Sequence, residues 1–149
     1  MNKMLIERII VFSLLFIAIY RSSDSIIEKK YHEALREFVS IGIIPMSLHA
    51  AYRHMFNSGN IVKGGRFFEI EAGGANLGIA LASIISYLNN FSNETMGSIL
   101  FIYAIYLFVS MVVWLLFKPE GHNILLMGGQ FLSIVSILFY YSYIGLTTK

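Results

Sequence analysis

The 149-residue chain contains no cysteine. Disulfides, thiolate zinc sites, iron–sulfur ligation and thiol redox chemistry are therefore excluded within it. Charge is also scarce, because 13% of the residues are charged whereas 56% are hydrophobic, and the mean hydropathy is +0.67. This composition lies outside that of soluble domains and is typical of an integral membrane protein.

Several functional motifs are missing as well. The sequence has no H-x-x-x-H, H-E-x-x-H or E-x-x-H pattern for a metal, no G-x-S-x-G nucleophile motif and no phosphate-binding P-loop. The net charge of +2 is too mild to indicate nucleic-acid binding. We therefore expect no metal, no cofactor and no nucleic-acid partner.

Long apolar runs dominate what is present. About 20 helical residues cross the ~30 Å hydrocarbon core of a bilayer. Runs near this length predict four membrane-spanning helices, at about residues 4–20, 67–88, 99–117 and 124–146. The predicted fold is an all-α four-transmembrane-helix bundle, one multi-pass domain in the lipid bilayer, with an additional amphipathic or kinked segment between the first and second spans.

That additional segment covers residues 24–56 and is expected to be interfacial or re-entrant. Its first half has apolar residues at helical spacing, which predicts an amphipathic helix on the membrane surface. Its second half is a short apolar stretch interrupted by Pro45, which favours a kinked segment over a full crossing. Four spans also leave a clear excess of Lys and Arg on one side, so the positive-inside rule predicts both termini outside the cytoplasm.

The second predicted span carries Glu69, Glu71 and Asn76 within an apolar helix. Burying a polar group in lipid costs so much free energy that such side chains face the protein interior or a cavity. One interpretation is helix packing, in which Asn76 bonds across a contact and small residues let another helix approach closely. The packing candidates are Gly73, Gly74, Gly78 and Ala82.

The alternative interpretation is a polar pocket for a proton-linked, quinone-like or lipid-like ligand. Glu69, Glu71 and Asn76 would form it, with His49 or Arg53 of the preceding segment as partners for Glu69. On a helix Glu69, Asn76 and Ser83 also fall on one stripe. The sequence leaves both interpretations open.

The stretch Glu69-Ile70-Glu71-Ala72-Gly73, followed by small and apolar residues, resembles the E-[LI]-x-x-G motif at the second span of DoxX-like four-helix membrane proteins. The order of spans is similar too. The resemblance implies a compact membrane subunit, in some relatives associated with quinol or thiosulfate oxidoreductase complexes, with Glu69 as the position carried over. Glu71 and Asn76 depart from the usual pattern, as do the His49 and Arg53 that precede them.

Three functions follow in order of expectation. The first is a helix-packing subunit or assembly partner of a homo- or hetero-oligomeric membrane complex. The second is a transporter or binder of a small ligand through the Glu/Asn pocket. The third is a membrane-embedded enzyme with a Glu/His acid–base pair.

Overall fold

The computed structural model describes residues 3–56, 66–116 and 124–148, and within these ranges the chain is helical apart from short turns. The helices are α1 (Lys3–Ile27), α2 (Tyr31–Glu37), a π-helical segment (Phe38–Ile43), α3 (Ile44–Phe56), α4 (Arg66–Leu88), α5 (Asn93–Leu116) and α6 (Ile124–Thr147).

Four helices are long and apolar enough to cross a membrane, which confirms the all-α prediction with four such helices. The qualifying windows are Ile9–Ile27, Glu69–Leu88, Asn93–Val113 and Gly128–Thr147.

Two helix ends lie outside the predicted runs because polar residues extend the helices. In α1 the Ser22 and Ser23 hydroxyls donate to carbonyls of the preceding turn, so these polar groups are satisfied within the helix, which continues to Ile27. At the start of α5 the Ser92 hydroxyl accepts the Thr95 N–H at 3.3 Å, as an N-cap does. The helix therefore begins at Asn93, before the apolar run at residue 99.

Residues 31–56 form one continuous helix, named here the central rod, from α2 through the π-helical segment to α3. Its segments of 7, 6 and 13 residues give a length of about 39 Å. Pro45 has no N–H to donate and would clash with the carbonyl four residues earlier in a regular α-helix. The wider turn, in which the Ile44 N–H donates to the Val39 carbonyl, relieves this conflict one residue before the proline.

The central rod runs antiparallel to α4 from one end of the bundle to the other. Near its start, Arg36 Nη1 donates to the Tyr87 carbonyl at the end of α4, at 3.1 Å. Near its end, Ala51 and Met55 pack against Gly73 at the beginning of α4. The rod therefore connects the two ends of the bundle. The expected interfacial or re-entrant placement of residues 24–56 in the membrane stays a prediction.

The central rod also supplies much of the core. Leu35, Phe38 and Ile43 have no exposed surface. The Phe38 ring stacks on Tyr141 of α6 at 3.7 Å with an interplanar angle of 1°, and the Tyr141 hydroxyl bonds to Ser22 of α1. Through these two contacts Tyr141 joins the central rod, α1 and α6.

The α5–α6 pair has the most extensive contact between helices in the described part of the chain. A Cβ added at Gly97 would lie 2.9 Å from the Gly145 Cα, and one added at Gly145 would lie 2.6 Å from the Gly97 Cα. The two backbones therefore touch at this crossing. Between helices in lipid, such close approach is a main source of attraction.

Gly97→Ala is expected to destabilise the fold by about 1–3 kcal/mol, because backbone atoms cannot move aside for a methyl group as a flexible side chain would. Thermal unfolding in mild detergent measures the loss. Gly128→Ala on α6 is the matched control, since a Cβ there meets nothing within 4 Å. Equal melting temperatures for the two variants would contradict the close crossing.

Successive helices run in alternating directions, in the order α1, central rod, α4, α5 and α6. Five such helices predict that the two chain termini lie on opposite sides of the membrane. If α1 and α4 both cross, the antiparallel rod between them has to cross as well. Reporter fusions at each terminus measure this directly, and a single cysteine at exposed Asn89 should label on the C-terminal side of this cysteine-free chain. Termini on the same side would show that the rod does not cross.

Candidate functional site

The inner face of α4 carries buried polar residues from near its start to near its end. Glu69, Asn76, Ser83 and Ser86, named here the polar stripe, are 4%, 2%, 0% and 0% exposed. Seventeen positions separate the first from the last, which is about 25 Å along a helix. The stripe therefore extends over most of a bilayer's hydrocarbon core.

Charged and titratable groups surround the Glu69 end of the stripe. His54 of α3 interacts electrostatically with the Glu69 carboxylate and with the neighbouring Arg53 guanidinium. His49, one turn earlier on α3, interacts with Arg53 and with Glu7 of α1. Three helices thus bring two carboxylates, two imidazoles and a guanidinium to one end of the bundle.

Two atoms of this cluster remain unsatisfied. Glu7 Oε2 and His54 Nδ1 are buried and have no hydrogen-bond partner among the described residues. Such atoms are expensive in a low-dielectric interior. The cluster therefore has capacity to bind a further donor and acceptor.

Asn76 lies at the middle of the stripe and joins α4 to α5. Its Nδ2 donates to the Ala72 carbonyl at 2.8 Å and to the Tyr106 hydroxyl at 3.2 Å, while its Oδ1 accepts from Tyr103 at 3.3 Å. The Tyr106 hydroxyl donates to the same Ala72 carbonyl at 3.2 Å. Every N–H and O–H group in these four hydrogen bonds has an acceptor. The network therefore links α4 and α5 through satisfied hydrogen bonds.

Ser83 and Ser86 have no such ties. Their hydroxyl oxygens are buried without a hydrogen-bond partner in the described part of the chain. Two other buried serines bond to a carbonyl of their own helix, Ser22 to Ala18 and Ser47 to Ile43, each at 2.6 Å. The buried Ser142 hydroxyl of α6, like those of Ser83 and Ser86, has no partner among the described residues. Ser83 and Ser86 differ from Ser142 in lying on the polar stripe.

A second polar cluster closes the other end of the stripe. Arg36 lies over the Tyr87 ring, 4.5 Å from its centroid, and donates to the Asn90 side chain. His32 contacts Asn90 through Nε2 at 2.9 Å and Asn93 through Nδ1 at 2.8 Å. These contacts hold the start of the central rod against the turn between α4 and α5.

The structure separates the residues of the predicted Glu/Asn pocket. Glu69 is buried beside His54, whereas Glu71 is exposed on the opposite side of α4. Asn76 is engaged by two tyrosines farther along the helix. His49 lies with Glu7 instead of serving as the partner of Glu69.

The predicted packing residues also divide. Gly73 is buried against α3, and a Cβ there would collide with the Met55 side chain. A Cβ at Gly74 or Gly78 would meet nothing within 4 Å, and Ala82 is half-buried. Packing through Gly74 and Gly78 therefore does not occur among the described residues, and their contact with another helix stays a prediction.

Sequence reasoning missed Tyr103, Tyr106 and Ser86 as members of the site. A signal was available for the tyrosines, because a hydroxyl deep in an apolar run has to find a hydrogen-bond partner. Ser86 carried no comparable signal. Among the described residues, no group of three or more His, Asp and Glu side chains is placed to hold a metal ion.

Asn76→Ala is expected to lower stability by roughly 0.5–2 kcal/mol, because it leaves the buried Tyr103 hydroxyl without its acceptor. Thermal unfolding in detergent measures the change. Asn89→Ala is the control, since among the described residues the exposed Asn89 side chain bonds only to the Ile85 carbonyl in the last turn of α4. A loss as large in the control as in Asn76→Ala would contradict the role of the network.

No protein-family model, curated protein or solved structure matches this chain. Its function therefore has to come from its own residues. The resemblance of Glu69–Gly73 to the DoxX-like motif stays a prediction.

Proposed function

We propose that this protein is a small multi-pass membrane protein that serves as an assembly subunit, binding a partner helix through the outer face of α4. The observation that carries the proposal is the open surface at Gly74 and Gly78. The two glycines are four positions apart and both are exposed. In the part of the chain that the structure describes, no atom lies within 4 Å of where a Cβ of either would be.

Spacing of four residues puts both glycines on the same side of the helix, one turn apart. Small residues at this spacing let two helix backbones approach closely, and close packing drives helix association where lipid provides no hydrophobic force. The close glycine contacts at Gly42, at Gly73 and between Gly97 and Gly145 are used inside the chain. Gly74 and Gly78 are available to a partner.

The surroundings of the two glycines support a helix as the partner. Ile70, Leu81 and Ile85 are 45%, 49% and 50% exposed on α4. Glu71 is exposed three positions before Gly74, at the end of the candidate span. A partner helix with apolar side chains and a basic residue near the membrane boundary would complement this face.

The proposed contact predicts that Gly74→Leu and Gly78→Leu weaken association at least tenfold, which corresponds to about 1.4 kcal/mol. The measurement is association in mild detergent, by light scattering for self-association and by co-purification from native membranes for a different partner. The leucines should leave the fold intact, because no atom of residues 3–56, 66–116 and 124–148 lies within 4 Å of a Cβ at either glycine.

Gly128→Leu is the matched control, since Gly128 on α6 is equally open. It should associate as the wild type does. Unchanged association of the α4 variants, with an unchanged fold, would refute the proposed face.

A further inference from the structure

We infer that the polar stripe of α4 conducts protons across the membrane. This inference goes beyond assembly through the outer face of α4 and shares with it only the membrane placement. The observation behind it is a line of buried polar groups, about 25 Å long, with titratable groups at both ends.

Packing alone does not require this line. Helices in lipid approach closely through glycine and alanine, and Gly73 and Ala80 already supply such residues on the inner face of α4. Glutamate, asparagine and two serines on the same face add desolvation costs without bringing the helices closer. The four polar side chains are accounted for if the protein's function requires polar groups in its interior.

The unpaired hydroxyls of Ser83 and Ser86 indicate what that function needs. Each hydroxyl lacks a partner among the described residues, and a buried hydroxyl in this state costs about 1–3 kcal/mol. Water is the ligand that satisfies a hydroxyl as both donor and acceptor. Hydrated serine hydroxyls can pass a proton by exchanging hydrogen bonds.

The groups at the two ends can take up and release protons. Glu69 and His54 lie at one end, with Arg53, His49 and Glu7 beside them. His32 lies at the other end, beside Arg36 and Asn90. Carboxyl and imidazole groups both bind and release protons reversibly, and imidazole is the side chain whose ordinary charge change lies closest to neutral pH.

The hydroxyls of Tyr103 and Tyr106 lie between Glu69 and Ser83, at the level of Asn76. The rise from Glu69 to Asn76, and again from Asn76 to Ser83, is about 10 Å. About three hydrogen-bonded waters bridge such a gap at 2.8 Å per step. A proton leaving Glu69 passes along this line to water at the exposed turn around Asn90, and the Glu69 carboxylate takes up the next proton from its own side.

The uncharged middle of the stripe favours a proton over other solutes. Between its two ends the stripe has only hydroxyl and amide groups, and Ser83 and Ser86 are fully buried. A hydrated ion would need a wider and more polar path, whereas a proton needs only a chain of hydrogen bonds.

The test is proton flux into liposomes that contain the full-length protein. Phosphatidylcholine and phosphatidylglycerol vesicles with internal pyranine, driven by a potassium diffusion potential with valinomycin, should show flux above protein-free vesicles. Glu69→Gln should lower the protein-dependent flux at least tenfold, because glutamine cannot release a proton. The double variant Ser83→Ala and Ser86→Ala should lower it as well, and it removes no hydrogen bond of the described fold.

Two exposed positions give the matched controls. Glu94→Gln at the start of α5 and Ser133→Ala on α6 change the same chemical groups outside the stripe, and both should conduct as the wild type does. Wild-type flux no greater than that of protein-free vesicles would overturn the inference. So would full flux in both stripe variants, or an equal loss in the controls.

Insertion and helicity are measured on the same vesicles, by alkaline extraction and circular dichroism. A protein that fails to insert would refute the membrane placement, and with it both proposals. An inserted, folded protein that associates through Gly74 and Gly78 but does not conduct would overturn only the proton pathway.

Discussion

The inner face of α4 is polar, and a polar face in a bilayer has to be covered by protein. The central rod and α5 provide this cover. His54 and Arg36 of the rod lie at the two ends of the face, and Tyr103 and Tyr106 of α5 reach its middle. This requirement explains why the rod, less apolar than the four membrane-length helices, nonetheless holds the centre of the fold.

The four apolar helices could be predicted from the sequence because length and hydropathy are local properties. The central rod could not, because its path depends on neighbours that cover its polar residues. Pro45 predicts an interrupted helix. In the structure, the π-helical segment before Pro45 accommodates the proline, and the helix continues. Helix ends were missed for a related reason: Ser22 and Asn93 are polar, but polar residues continue a helix beyond its apolar part.

Glu69 and Asn76 could be singled out from the sequence because polar residues within an apolar run are rare. Glu71 is also a polar residue in this apolar run, so the sequence predicts it in the same pocket as Glu69 and Asn76. Two positions along a helix rotate a side chain by about 200°, so Glu69 and Glu71 have to face opposite sides. Which side is interior depends on the packing of Gly73 against α3, a contact between distant parts of the sequence. The tyrosine partners of Asn76 are hidden from sequence reasoning for the same reason.

The two faces of α4 are therefore suited to different tasks. A partner helix at Gly74 and Gly78 would lie on the far side of α4 from the polar stripe, about one helix diameter away, and would not touch it. It could influence the stripe only by shifting α4 against the central rod. Gly73 limits such movement, since it packs against Met55 and Ala51 with no space for even a methyl group. Assembly on the outer face is thus compatible with an unchanged inner face, and each can be tested without disturbing the other.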